Sequence, residues 1–213
     1  MKRQRLVDYS LYYVLDVPMP HDPVAMARVA VAGGATVVQV RGKLLTGRAL
    51  YELVTAVRDA LTDTGVPVIV DDRVDVALAA GAAGVHIGRE DIPFVQARAI
   101  APDLIIGVSC YGDLDRAARA VAAGVDYIAF GAFFPSTTKP EAAVVPRSVL
   151  AGARQFGLPV VAIGGITVAR VPELLDSGAD GVAVVSAIQG ATDPEAAARA
   201  FRTATQRFTV RGE

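Results

Sequence analysis

The chain has 213 residues, 53% of them hydrophobic and 20% charged, which suffices for one domain with a sizeable core. A formal net charge of −1 leaves no global footprint for nucleic acid or an anionic membrane, so any anion site must be local. No apolar run approaches the length of a membrane span. No signal-type apolar segment follows the basic Met1-Lys2-Arg3-Gln4-Arg5, and the lone Cys110 excludes an intrachain disulfide and points to a reducing, cytoplasmic setting.

Short apolar, β-branched runs alternate with Ala-rich amphipathic segments along the whole chain. The first strand is expected over residues 12–16, and Asp22-Pro23 opens the next helix, Asp as N-cap and Pro in the first turn. Further strands are expected over 36–40, 68–70, 84–87, 105–108, 126–130, 160–163 and 181–185. The helices between and after them fall near 48–62, 74–80, 94–100, 114–122, 147–155, 168–175 and 194–208. A repeat supports the count. Ala32-Gly33-Gly34-Ala35, Ala80-Gly81-Ala82-Ala83-Gly84-Val85, Ala123-Gly124-Val125-Asp126-Tyr127 and Ser177-Gly178-Ala179-Asp180-Gly181-Val182 each end a helix on glycine and begin a strand. Strands apolar on both faces imply a buried parallel sheet. The pattern therefore predicts an α/β chain, a single-domain (β/α)8 TIM barrel over 1–213 with its core at about 11–208. An open doubly wound sheet is the alternative, weakened by the lack of any G-x-G-x-x-G or Walker-type loop.

Active sites of such barrels lie at the C-terminal strand ends. The second strand ends in Gln39-Val40-Arg41-Gly42-Lys43, where alternation puts Gln39, Arg41 and Lys43 on one side. Two cations and an amide at a barrel mouth suit a diphosphate; a charged surface edge is the plainer reading. Asp72 and Asp91 follow the third and fourth strands, where hard carboxylates beside phosphate ligands suggest Mg2+. Ion pairs with Arg73 and Arg89 are the alternative, and Asp71 is a candidate helix cap. Phe133-Phe134-Pro135-Ser136-Thr137-Thr138-Lys139-Pro140 sets three hydroxyls and one of only three lysines in a loop after the sixth strand. Such donors suit an oxyanion. Gly164-Gly165-Ile166 and Val185-Ser186 follow the last two strands, where backbone N–H groups commonly hold phosphate. His86 is read as a structural or wall residue, and Cys110 beside Ser109 as a small apolar filler. There is no zinc spacing and no catalytic-triad order.

Together these segments resemble the thiamine-phosphate synthase family. They comprise Gln39-Val40-Arg41-Gly42-Lys43, Asp71-Asp72-Arg73, Gly84-Val85-His86-Ile87-Gly88-Arg89-Glu90-Asp91, Ile106-Gly107-Val108-Ser109, the loop from Phe133 to Pro140, and Gly164-Gly165-Ile166. The likeness runs from about Leu11 to Phe208. It implies condensation of hydroxymethylpyrimidine diphosphate with thiazole phosphate, giving thiamine phosphate and pyrophosphate. It implies that Gln39, Arg41 and Lys43, in the segment with Val40 and Gly42, hold the diphosphate. Asp71 would stand near the pyrimidine, and Asp72 and Asp91 would bind Mg2+. Ser109 and Lys139 would contact the pyrimidine diphosphate, with Lys139, Arg41, Lys43 and Ser109 as the catalytic group. Ser136, Thr137, Thr138, Gly165, Val185 and Ser186 would hold the thiazole phosphate. The chain departs from the family pattern at Gly42, where an acidic residue is usual, at Asp71 for Asn, and at Ser136 for Thr. The implied partners are small-molecule substrates, with no nucleic acid or membrane and with a homo-oligomer allowed.

The implied chemistry is dissociative. Aminopyrimidine electrons expel the diphosphate and the thiazole nitrogen captures the cation, so the protein neutralises the leaving group and aligns two substrates. Three alternatives compete: a thiazole tautomerase of the same superfamily, a Schiff-base aldolase, and a non-catalytic sensor of thiamine precursors. The aldolase lysine is missing, because Phe130-Gly131-Ala132 precedes Phe133.

Overall fold

The structure, a computed structural model, describes residues 7–136 and 143–209. Eight parallel strands close into a barrel in chain order: β1 (Leu11–Asp16), β2 (Val37–Arg41), β3 (Val68–Asp71), β4 (Gly84–Ile87), β5 (Ile105–Tyr111), β6 (Tyr127–Phe130), β7 (Val160–Ile163) and β8 (Gly181–Val184). β8 pairs back onto β1, Leu11 opposite Val182, so the open-sheet alternative falls away. The outer layer is α1 (Pro23–Ala32), α2 (Gly47–Ala60), α3 (Val74–Ala79), α4 (Phe94–Ile100), α5 (Leu114–Ala122), α6 (Ser148–Ala153), α7 (Val171–Asp176), α8 (Ser186–Gln189) and α9 (Pro194–Thr209).

Local chemistry explains the punctuation. Asp22 caps α1 by accepting from Val24 N at 2.9 Å, with Pro23 in the first turn. Asp113 caps α5 through Arg116 N at 2.8 Å. At the repeated helix-to-strand junctions Gly34, Gly81, Gly124 and Gly178 all hold positive φ.

Two apolar layers follow from strand alternation. Leu11, Tyr13, Leu15, Val38, Val40, Val70, Val85 and Ile87 point outward and pack with the helices. Tyr12, Val14, Val37, Ile69, Ile105, Tyr127, Ala129, Val161 and Ala183 fill the barrel interior. Tyr9 packs on Tyr127 in the same inner layer, ring centroids 4.7 Å apart and planes tilted by 35°. Gly107 makes this arrangement possible: a Cβ there would overlap the Tyr127 ring.

Most strand bounds fall within a residue of expectation, and two features depart further. β5 runs on to Tyr111 instead of stopping at Val108, because its register with β6 shifts between Ser109 and Tyr111. After β8 the four-residue α8 appears before α9, too short to carry a readable period.

Candidate active site

One cavity opens at the C-terminal ends of the strands. Gln39, Arg41, Asp71, Ser109, Ser136, Gly165, Val185 and Ser186 all line it, joined by His86, Tyr111 and Gly164. The inward positions of the strands supply most of this wall. Lys43, Asp72 and Asp91 are not among the lining residues. Thr137, Thr138 and Lys139 lie outside the described residues. A larger hollow sits at the opposite face, lined by the N-terminal strand ends and residues such as Arg98 and Asp126, which pair with each other at 2.5 Å.

Arg41 is the charged centre. It stands opposite Asp16 in the β1–β2 register, and its Nη1 lies 2.6 Å from the Asp16 carboxylate. Its Nε lies 3.4 Å from Asp71 Oδ2. Arg41 and Asp16 are each 19% exposed and Asp71 11%. Lys43 is half-exposed, pairs with Asp72 and lies 3.8 Å from Asp71. The two cations are therefore held by carboxylates. The N-cap of α3 is Arg73, without a side-chain cap bond, and the Asp71 carboxylate faces Arg41 and Lys43.

Val40 and Gly42 do not face the cavity. The Val40 side chain points outward into the core beneath the helices, as its place between Gln39 and Arg41 on a strand requires. Gly42 lies under Leu45 and Leu50, whose atoms are 2.8 and 3.1 Å from where its Cβ would be.

The Asp72 carboxylate meets Lys43 instead of Arg73, which pairs with Asp75. Asp72 takes a left-handed φ of 62°, with its N–H on His86 O at 2.8 Å. Asp91 accepts from Gly88 N at 2.6 Å. Arg89 stacks over the Tyr111 ring at 4.6 Å, and its N–H donates to the Tyr111 hydroxyl at 3.1 Å. Among the described residues no three His, Cys, Asp or Glu side chains form a metal cluster.

On the far wall Gly165 holds φ 62°, and a Cβ there would lie 2.7 Å from Phe134 O. The chain has to be bare at this point, because the loop from Phe133 presses against it. Phe133 N donates to Ile163 O at 3.1 Å and Phe134 N to Gly164 O at 3.0 Å. The start of the hydroxyl-rich loop is thus sewn to the end of β7.

A family model described as thiamine monophosphate synthase matches residues 11–188. The chain belongs to the thiamine monophosphate synthase family. A thiamine-phosphate synthase of Methanoculleus marisnigri is 45% identical over 201 residues, covering 91% of this chain and 94% of that protein. Its counterpart in Chloroflexus aurantiacus is 43% identical over 206 residues, 95% of each. The solved thiamine phosphate pyrophosphorylase of Pyrococcus furiosus superposes with a TM-score of 0.87 at 39% identity, over 94% of this chain and 97% of that one.

Within this family member, several site residues carry no motif signal. Asp16 ends β1 on the face it shares with Tyr12 and Val14. Gln189 on α8 holds the Asp16 peptide from both sides: its Nε2 donates to Asp16 O at 2.8 Å and its Oε1 accepts from Asp16 N at 3.1 Å. Arg116 donates to Ser109 O at 2.8 Å and to Gly88 O at 2.7 Å, tying the ends of β4 and β5 together. The interior is polar as well. Gln39 Nε2 donates to the Tyr12 hydroxyl at 3.0 Å, which lies 2.8 Å from the Tyr127 hydroxyl. Tyr127 reaches His86 Nδ1 at 2.9 Å, and His86 Nε2 reaches Ser109 Oγ at 2.8 Å. His86, expected as a structural or wall residue, lines the cavity and also joins this network. Burial raises the Tyr12 and Tyr127 phenols far above their ordinary range, so both are neutral. Cys110 is fully buried and burial pushes its thiol up to about 12, as an inert filler requires.

Proposed function

We propose that this chain is a thiamine-phosphate synthase, joining hydroxymethylpyrimidine diphosphate to thiazole phosphate with release of pyrophosphate in the cytoplasm. One observation carries the reading. The cavity has the Arg41–Asp71 pair on one wall and the Gly164-Gly165 and Val185-Ser186 backbone on another. A charged leaving group and a phosphate-bearing acceptor can therefore face each other across it.

Arg41 and Lys43 would take the diphosphate, exchanging Asp16, Asp71 and Asp72 for phosphate oxygens. The leaving group gains charge as its bond breaks, so fixed cations there act on the transition state. Ser109, held by His86 and by Arg116, would donate to the pyrimidine diphosphate. Lys139 would add a further cation from the loop after β6. Ser136, Thr137 and Thr138, with the backbone of Gly165, Val185 and Ser186, would anchor the thiazole phosphate and aim its ring nitrogen. The protein supplies no nucleophile.

The oxygen donors Asp72 and Asp91, with Asp71 beside Lys43, suit Mg2+, which takes one or two carboxylates and completes its shell with water and phosphate oxygens. Bound there, Mg2+ would supply positive charge to the departing pyrophosphate.

The test supplies both substrates and Mg2+ and follows pyrophosphate and thiamine phosphate. Both products should appear in equal amounts, and chelation by EDTA should stop their formation. If both ligands bind but no pyrophosphate is released, the sensor reading takes its place. Isomerisation of a thiazole carboxylate phosphate without any use of the diphosphate would instead favour the tautomerase.

A further inference from the structure

Five side chains form an unbroken hydrogen-bonded chain through the barrel interior, in the order Gln39, Tyr12, Tyr127, His86 and Ser109. Both ends of the chain line the cavity, while Tyr12 and Tyr127 are 2% and 1% exposed. Burial keeps the two phenols neutral, so each has one hydrogen to give.

That stoichiometry, with the Gln39 amide nitrogen turned to Tyr12, sets a direction. Gln39 Nε2 can only donate, so Tyr12 accepts there and must spend its own hydrogen elsewhere. The other partner within reach is the Tyr127 hydroxyl at 2.8 Å. Were Tyr127 to donate to Tyr12 instead, the Tyr12 hydrogen would be buried without an acceptor. Tyr127 therefore donates to His86 Nδ1 at 2.9 Å. An imidazole that accepts at Nδ1 carries its proton on Nε2, and that proton goes to Ser109 Oγ at 2.8 Å. Ser109 then has its own hydrogen left for the cavity. Turning the Gln39 amide over reverses every bond and turns Ser109 into an acceptor. The two ends are thus coupled, with one a donor when the other is an acceptor.

We infer that His86, Tyr127 and Tyr12 are positioning residues that hold His86 in its Nε2–H tautomer and so present Ser109 as a hydrogen-bond donor to the pyrimidine diphosphate. This inference rests on the proposed synthase activity for the role of Ser109, though not for the direction of the chain.

Two measurements test it. The first needs no activity. The chain has two histidines, and His21 is exposed, so 15N-histidine labelling gives two ring systems that are easily told apart. His86 should show a protonated Nε2 and a bare, accepting Nδ1. A protonated Nδ1, alone or with Nε2, overturns the inference. If wild-type enzyme releases no pyrophosphate yet His86 shows the Nε2–H form, the synthase reading fails and the direction of the chain stands.

The second is a double-mutant cycle. Tyr127→Phe keeps the ring on Gly107 and removes the donor to His86. It should lower kcat by about 3- to 10-fold, the scale of one neutral hydrogen bond, with KM little changed. In a Ser109→Ala background the same substitution should cost nothing further, because the chain acts through Ser109. The same loss in both backgrounds overturns the inference. Should Tyr127→Phe fail to fold, the tautomer of the wild-type protein decides alone.

Discussion

Arg41→Lys isolates what the guanidinium does beyond carrying charge. The Arg41 fork serves two carboxylates at once, Asp16 through Nη1 at 2.6 Å and Asp71 through Nε at 3.4 Å. At an effective dielectric of about 20 the raw attractions are roughly 6 and 5 kcal/mol, most of which desolvation cancels. Lysine retains the charge but is a single point on a flexible stem and cannot address both carboxylates and a diphosphate. The loss is then about one charge-assisted hydrogen bond, 1.5–3 kcal/mol when fully buried. With the pair one-fifth exposed, about 1–2 kcal/mol of folding stability should go. The leaving diphosphate loses a comparable contact, so kcat/KM for the pyrimidine diphosphate should fall about 10- to 100-fold. A coupled pyrophosphate assay with each substrate varied in turn reads this, and urea melts read the stability. KM for thiazole phosphate should hold. If Arg41→Lys keeps kcat/KM within about twofold and leaves the melt unmoved, the fork is a surface ion pair and not the diphosphate clamp.

Three other substitutions or conditions probe separate parts of the site. Lys139→Ala should cut kcat by about 10²–10³-fold at saturating substrates, the scale of one preorganised electrostatic donor, and near wild-type turnover would remove Lys139 from the mechanism. Gly165→Ala forces a side chain into a left-handed φ of 62° and onto the Phe134 carbonyl. It should cost at least about 1–2 kcal/mol of stability, the scale of the conformation alone, and raise KM for thiazole phosphate more than KM for the pyrimidine substrate, as steady-state kinetics and melts would report. Alkali should also weaken the fold. Burial raises Cys110 from 9.0 to about 12, so above pH 9 the folded state holds a proton that the unfolded chain has lost. Stability then falls with rising pH, by up to about 1.4 kcal/mol per pH unit for this group, and Tyr12 and Tyr127 add to it above their ordinary value of 10.0. A urea midpoint that stays level from about pH 8 to 11 would contradict this.

Most of the barrel was legible because its repeat is local. Each unit joins an apolar run to an amphipathic helix through glycine, and both patterns show within a dozen residues. What escaped depends on single extra residues or distant partners. The shift at Ser109 lengthens β5 without altering its composition. For the site, alternation put Gln39, Arg41 and Lys43 on one side, and the first two line the cavity with Asp71 and Ser109 from other strand ends, while Lys43 lies outside the lining. The same rule excludes Val40, which entered only because it lies inside a recognised motif. Tyr12 and Tyr127 are inward positions on strands that look merely apolar, and a tyrosine among valines reads as core until its hydroxyl has a partner. Asp16 is at the mouth on β1, but its meaning lies in Arg41 across the ladder and in Gln189, 173 residues away.

On the proposed function, the two sides of the cavity would differ in the kind of donor because the two phosphates play different parts. The diphosphate would change charge as its bond breaks, so formal cations beside it would stabilise the transition state more than the bound substrate. The acceptor's phosphate keeps its charge throughout. Cations there would tighten binding of substrate, transition state and product alike, slowing release without speeding chemistry. Neutral donors, such as backbone N–H groups and hydroxyls, are enough to orient it. Arg41 lines the cavity from the end of β2, with Lys43 just beyond it outside the lining, whereas Gly165 and Ser186 follow β7 and β8. The carboxylates fit the same logic. Asp16, Asp71 and Asp72 hold the cations in place before substrate arrives, which avoids reorganising long side chains at the moment of reaction. Neutralising one of them, as in Asp16→Asn, should therefore lower kcat more than it changes KM. A lowered KM with unchanged kcat would mean that Asp16 merely competes with the diphosphate for Arg41.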